Sequence, residues 1–291
     1  MLKSFVPRHS YCVGFNSDGC VFDSMELKHK ECFIPMTIKY YRLQSVSKYA
    51  REVAEFVNLY SCWRGINRFS ALVKVLELLA ERPQVIERGY SKPDLRPIQN
   101  FIDTTPALGN SALREAVTRT GDPQLQQLLE WSEAVNRDVE NVVQGLPPFP
   151  HARESVEKLH GKADLLVVTT TQIEPLRHEW ASAAMDQYVS LIAGQEHGKK
   201  EDQLRLAAKG KYPPCHILMV GDTMGDLKAA REAEAKFFPI IPGDEVESWR
   251  TFYELVIPTF LIDRYTEQEE ESFLKEFERA LPKSIPWSRL R

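Results

Sequence analysis

An apolar run, His216-Ile217-Leu218-Met219-Val220, ends in Gly221-Asp222, and a second aspartate, Asp226, follows four residues later. Two carboxylates at a strand end, just before a helix start, suit a hard, oxygen-seeking Mg²⁺ that keeps several of its waters. For Asp226 a first-turn acid at a helix N-terminus is the alternative account. A second apolar run, Tyr11-Cys12-Val13-Gly14-Phe15, stops at the polar turn Asn16-Ser17-Asp18-Gly19, where glycine allows a tight backbone excursion. A third, Leu165-Leu166-Val167-Val168, stops at Thr169, and Lys199 and Lys200 open a later helical pattern. Strand ends of this kind are where α/β folds place their chemistry.

The elements that must position these groups follow from periodicity. After residue 146 the pattern predicts helix over 152–159, strand over 164–169, helix over 174–183 and strand over 188–193. It continues as helix 201–208, strand 216–220, helix 225–233 and strand 237–241. That alternation predicts a parallel sheet with crossover helices. Between the first strand and this series the chain reads as helical, with Val46, Tyr49, Val53, Phe56, Val57 and Tyr60 at spacings of three and four, as are Leu125, Leu128, Val135, Val139 and Val142. Pro-rich Leu146-Pro147-Pro148-Phe149-Pro150 closes that block. Two further helices are expected over 245–256 and 267–281. The predicted organisation is an α/β core made of residues 1–24 and 146–291, with a C-terminal helical extension from about 244, interrupted by a helical domain over 25–145.

In chain order, Asn16-Ser17-Asp18-Gly19-Cys20-Val21-Phe22-Asp23-Ser24, the strand ending in Thr169, Gly198-Lys199-Lys200 and Gly221-Asp222-Thr223-Met224-Gly225-Asp226 resemble the four motifs of the haloacid dehalogenase superfamily. The resemblance covers roughly residues 11–24 and 146–243, and its specificity lies in the combination. It implies a Rossmann-like parallel sheet with an inserted all-helical, type-1 cap, a lid that selects substrate and excludes water. It also implies an aspartyl-phosphate mechanism with Mg²⁺. Position 16 would carry the nucleophile and Asp18 the acid/base, and alternation at a strand end lets both reach one substrate atom. Thr169 and the backbone N–H of Thr170 would hold a phosphoryl oxygen, and Lys200 or Lys199 would neutralise nucleophile and phosphate. Asn16, Asp18, Asp222 and Asp226 make up the implied metal set, Asp226 as support.

Asn16 departs from the motif, whose first residue is aspartate. A neutral amide is a poor nucleophile, and losing a covalent nucleophile costs on the order of 10³–10⁶ in rate. The expectation is a Mg²⁺-dependent phosphoester hydrolase that is impaired or substrate-trapping at Asn16, whether the amide is natural or a deliberate replacement. Alternatives are a natural non-catalytic phosphate-ester-binding protein and a phosphotransferase or mutase of the same fold. Asp18 favours phosphoester over carbon–halogen cleavage, because a leaving alkoxide needs a proton and a halide does not. For a small phosphorylated partner, Arg64 and Arg68 flank Gly65 and suit bidentate anion recognition. Lys28 could face the site from the cap's first helix. Solvated helix faces are the plainer account of all three.

Composition excludes other classes. The 291 residues carry a net charge of −4 without a basic tract, which argues against a nucleic-acid groove or a polybasic membrane patch. No GxGxxG follows the first strand, against a dinucleotide site. Cys12, Cys20, Cys32, Cys62 and Cys215 are odd in number and lack CxxC spacing, so neither a disulfide framework nor a zinc site is expected. With no apolar leader or run of 18 apolar residues, a cytoplasmic location is expected.

Overall fold

The structure is a computed structural model describing residues 2–289. The chain divides into two compact units, Met1–Ser24 with Gly145–Leu281, and Met25–Gln144 with Pro282–Arg291. In the first unit, strands β1 (Tyr11–Phe15), β2 (Ala163–Val168), β3 (Leu191–Ala193), β4 (Ile217–Gly221) and β5 (Lys236–Pro239) form, among the described residues, one parallel sheet. Its order is β3-β2-β1-β4-β5. Phe15 lies opposite Val167 on one side and Val220 on the other, so the three central strands end nearly level. The chain builds outward from β1 to β3, then crosses to β4. The C-terminal edge between β1 and β4 is therefore the topological switch point, where diverging loops open a crevice. Asn16 and Asp222 flank it.

Residue alternation explains why this sheet is buried on both sides. Val13, Phe15, Leu165, Val167, Leu218 and Val220 face one way and Cys12, Leu166, Val168, Ile217 and Met219 the other, all at most 1% exposed. Both sets being apolar, helices must cover both faces. Val156 and Leu159 of the helix Ala152–Leu159 cover the first, with Trp180, Trp249, Phe252 and Val256. Leu204, Ala207 and Ala208 of the helix Lys200–Ala208 cover the second, with Ala230, Ala233 and Phe277. Each fully buried Val, Leu or Phe contributes about 1.5–3 kcal/mol. Buried Asp164 on β2 anchors the N-terminal segment: its Oδ2 accepts from the backbone N–H of Arg8 at 2.8 Å and His9 at 3.0 Å, and from the Tyr212 hydroxyl at 2.8 Å.

The C-terminal extension is integral to this unit. Its first helical stretch runs as Glu245–Thr251, Phe252–Val256 and Ile257–Phe260, four residues beyond the predicted end. The last helix, Glu267–Ala280, is started by a capping box: the Thr266 hydroxyl accepts from Glu269 N–H at 3.2 Å, and the Glu269 carboxylate from Thr266 N–H at 2.8 Å. β3 is shorter than the predicted 188–193, because Asp186–Tyr188 turns helically and Val189 N–H bonds back to Asp186 O at 3.3 Å.

The second unit has helices joined by turns and loops and no strand among its described residues, with Ser47–Leu59, Arg68–Ala80, Arg96–Thr104, Asn110–Thr120 and Pro123–Val142 as its longer elements. Val46, Val53, Phe56, Val57, Leu125, Leu128 and Val135 form its core, as their spacing requires, whereas Val142 at the last helix end is 45% exposed. Gln124 and Leu125 N–H donate to Asp122, which caps that helix ahead of Pro123. No helix among the described residues is long and apolar enough to cross a membrane.

Candidate active site

The loop after β1 is held from several sides. Gly19 takes φ +70°, a left-handed conformation costly for any residue with a Cβ, and its N–H donates to Phe22 O at 2.9 Å. Val21 N–H and Phe22 N–H both donate to Ser17 O, at 2.9 and 3.1 Å. The indole N–H of Trp180 donates to Ser17 Oγ at 2.9 Å, that hydroxyl donates to Glu179 at 3.0 Å, and Trp249 Nε1 donates to Cys20 O at 2.8 Å. A backbone held by such contacts fixes where the side chains of Asn16 and Asp18 point.

Asn16 is 3% exposed. Its Nδ2 donates to Asp222 Oδ1 at 2.6 Å and to the main-chain oxygen of Asp18 at 3.2 Å, while its Oδ1 is buried without a hydrogen-bond partner. The amide orientation follows from this network, since an oxygen set against Asp222 would repel it. Asp18 points elsewhere. Ser24 Oγ donates to its Oδ1 at 2.7 Å and Thr171 Oγ1 to its Oδ2 at 2.9 Å.

Across the switch point, Thr223 caps the helix Met224–Glu232 in a capping box with Asp226. Asp226 Oδ2 accepts from the N–H groups of Asp222 and Thr223 at 3.2 and 3.0 Å and from the Thr223 hydroxyl at 2.7 Å. Its Oδ1 accepts from Lys200 Nζ at 2.7 Å. Gly221 makes this fold-back feasible, because a Cβ there would fall 2.3 Å from Asp226 Cβ. Burial disfavours charge on Lys200, but Asp226 and Asp222 outweigh it and hold the ammonium above its usual pKa. Lys199, in contrast, stands at the N-cap of the helix Lys200–Ala208 and is exposed.

Beside β2, Thr169 is buried and its hydroxyl lies 3.2 Å from that of Thr171, whose own N–H donates to it at 3.3 Å. Thr170 is exposed. Buried Gln203 ties this loop to the next, accepting from Thr169 N–H at 3.2 Å and donating to the carbonyls of Thr169, Gly194 and Gly198 at 2.9–3.0 Å.

The structure thus brings Asn16, Asp18, Thr169, Lys200, Asp222 and Asp226 to one edge of one sheet. Thr171 and Gln203 join them without having been singled out by sequence, although Thr171 closes a run of three threonines, and Ser24, the last residue of the first motif, joins them as a partner of Asp18. Among the described residues, the carboxylates of Asp18, Asp222 and Asp226 do not converge as a three-acid cluster. The oxygens that meet around Asn16 are the Asp222 carboxylate and the Asp18 main chain. All are hard donors, and with the orphaned Asn16 Oδ1 they fit a Mg²⁺-sized cation, with one negative charge fewer than an aspartate at position 16 would provide.

Arg64, Arg68 and Lys28 belong to the helical unit. Arg64 is buried and donates to Leu59 O at 3.1 Å. Arg68 donates to Asn136 at 2.6 Å and Ser132 at 3.2 Å, with its guanidinium 5.0 Å from the centre of the Phe33 ring. Burial lowers its pKa to about 10. Lys28 is half-buried. The Arg68 guanidinium therefore serves partners inside its own unit.

Residues 85–240 match the family described as haloacid dehalogenase-like hydrolase, a span holding Thr169, Lys200, Asp222 and Asp226 but not Asn16 or Asp18. A haloacid dehalogenase-like hydrolase from Streptococcus pneumoniae is 17% identical, over 78% of this chain and 82% of that one, at a TM-score of 0.43. A hydrolase from Pseudomonas syringae is 16% identical, over 84% and 91%, at 0.45. L-2-haloacid dehalogenase from Xanthobacter autotrophicus is 16% identical, over 78% and 76%, at 0.37. A comparison with curated proteins found no match. With more than half of its residues inside the family match, the chain belongs to the haloacid dehalogenase-like hydrolases.

Proposed function

We propose that this chain carries the site of a Mg²⁺-dependent phosphoester hydrolase with Asn16 in the nucleophile's place, so that it binds a small phosphorylated molecule and turns it over slowly or not at all. The observation that carries this reading is Asp18 held between two hydroxyls, Ser24 Oγ at 2.7 Å and Thr171 Oγ1 at 2.9 Å, at the same end of the sheet as the Lys200–Asp226 pair. Hydroxyls both donate and accept, so Ser24 and Thr171 can hold Asp18 whether it carries the proton or has given it up. An acid/base group needs that tolerance.

In this reading, once an aspartate at position 16 attacks phosphorus, Asp18 protonates the leaving alkoxide oxygen and then takes a proton from the water that cleaves the aspartyl-phosphate and frees phosphate. Lys200, kept ionised by Asp226 and Asp222, offsets charge on the bound phosphoryl group. Thr169 Oγ1 and the N–H of Thr170 hold phosphoryl oxygens, and Gln203 fixes the loop that presents them. Asp222, the Asp18 main-chain oxygen and Asn16 Oδ1 would hold Mg²⁺, which when bound supplies Lewis-acid stabilisation of negative charge. Asp226, with both oxygens engaged, positions Lys200 and the Asp222 backbone.

Phosphate release from a panel of phosphoesters with Mg²⁺, by this chain and by Asn16→Asp, tests the proposal. The aspartate form should turn over at least one panel member about 10³-fold or more faster. Equal inertness of both forms would sink it. A binding-only protein is the second reading, favoured by the 2.6 Å bond from Asn16 Nδ2 to Asp222 Oδ1, which gives that carboxylate oxygen a donor without a cation. It predicts phosphoester binding in both forms and turnover in neither.

A further inference from the structure

At the opposite edge of the sheet, Cys215, His216 and Asp263 bring a sulfur, a ring nitrogen and a carboxylate oxygen within 4.8 Å of one another. His216 precedes β4, and Asp263 follows the helical stretch that ends at Phe260. Tyr11, first residue of β1, stacks on the His216 ring at 4.3 Å and donates its hydroxyl to Asp263 Oδ1 at 3.2 Å. β1's five residues, at about 3.3 Å each, put roughly 16 Å between this cluster and Asn16.

Both ring nitrogens of His216 face oxygens: Nδ1 lies 3.0 Å from Ser10 O, and Nε2 lies 3.0 Å from Asp263 Oδ1. A neutral imidazole has a single N–H, which the Ser10 carbonyl can accept at Nδ1, leaving the Nε2 lone pair aimed at a carboxylate. That is the tautomer and orientation of a metal-binding histidine held by an outer carbonyl. A cysteine nucleophile is the poorer account of the trio, because neither ring nitrogen is left to take the thiol proton.

We propose that Cys215 Sγ, His216 Nε2 and Asp263 form a zinc site that clamps the start of β4 to the C-terminal extension. Thiolate, imidazole and carboxylate are zinc's ligand types, and the exposure of Cys215 and Asp263 leaves a fourth position to water. The 3.0 Å between Nε2 and Oδ1 needs to widen only to roughly 3.3 Å around a tetrahedral ion with bonds near 2.0–2.1 Å. Sequence spacing hid the site, because Asp263 is contributed by a distant turn.

The test is a titration of the full, reduced, chelator-stripped chain with Co²⁺, in excess Mg²⁺, followed by displacement with Zn²⁺. One equivalent of Co²⁺ should give a near-ultraviolet thiolate-to-cobalt band that zinc removes. Cys215→Ser should abolish the band, and His216→Gln and Asp263→Asn should weaken binding roughly tenfold or more. Asp263 has φ +59°, a conformation asparagine tolerates, so Asp263→Asn isolates the ligand change from backbone strain. No band from the parent chain, or a band that survives Cys215→Ser, overturns the proposal and leaves His216 and Asp263 as a surface ion pair.

Discussion

Replacing Asn16 by aspartate should make the fold depend on a divalent cation. The amide now donates to Asp222 Oδ1 at 2.6 Å. A carboxylate in its place turns that bond into a repulsion of about 4 kcal/mol for unit charges roughly 4 Å apart at an effective dielectric near 20. Escape by protonation costs about as much at pH 7, since lifting a carboxyl from a pKa near 3.9 to 7 spans about three units at 1.36 kcal/mol each. Lys200 lies nearby and offsets part of either cost, leaving a net destabilisation of about 2–4 kcal/mol in chelator. For a protein of this size that lowers Tm by roughly 5–15 °C. The assay is thermal unfolding of both forms in EDTA and in Mg²⁺. The aspartate form should melt well below the parent in EDTA and recover in Mg²⁺, while the parent responds far less. Equal Tm values for the two forms in EDTA would refute the electrostatic account of Asn16.

Three further outcomes follow from the geometry. Burial of Asp164 opposes its charge, but the N–H groups of Arg8 and His9, with Tyr212 and His9 side chains, prevail and hold its pKa below the usual carboxylate range. Its contribution is complete above the unfolded pKa of about 3.9 and fades as pH falls through the lower folded value. Asp164→Asn should cost about 2 kcal/mol at pH 7 in urea unfolding and flatten the loss of stability below about pH 4. An unchanged acid profile would show that the anchor is unimportant. Arg68→Ala should destabilise the helical unit by about 2–3 kcal/mol through the lost Asn136 bond and Phe33 contact, without raising KM in the Asn16→Asp background. A large KM effect would instead return Arg68 to the substrate. Thr171→Val in that same background should lower kcat about tenfold or more and leave Tm nearly unchanged, as expected of a group that orients Asp18.

Much of the candidate site was legible because its chemistry stands at strand ends. Apolar runs that stop abruptly locate Asn16, Thr169 and Asp222, and the GDxxxD spacing places Asp226 in the first turn of the next helix. The choice between Lys199 and Lys200 needed the fold: a helix start sends one outward and buries the other against Asp226. Thr171 and Gln203 carry no spacing signal, since a hydroxyl or amide gains its role through partners far away in sequence, whereas Ser24 closes the first motif and bonds nearby Asp18. The surroundings of Arg68 were hidden for the same reason. A guanidinium's burial depends on Ser132 and Asn136, more than sixty residues from Arg68, and no local pattern reports that. Alternation gave the sheet and its double burial, yet β3 shortened because a helical turn at Asp186 competed locally with pairing.

The most direct test of the central claim is to quench the Asn16→Asp, Asp18→Asn double variant in acid after mixing with a reactive phosphoester and Mg²⁺, then locate added mass by peptide mass spectrometry. With a nucleophile restored and its acid/base removed, one phosphoryl group should accumulate on the peptide containing position 16, and none on the parent chain. No adduct with any reactive ester, under conditions where the double variant is folded, would contradict a phosphoryl-transfer site at the end of β1.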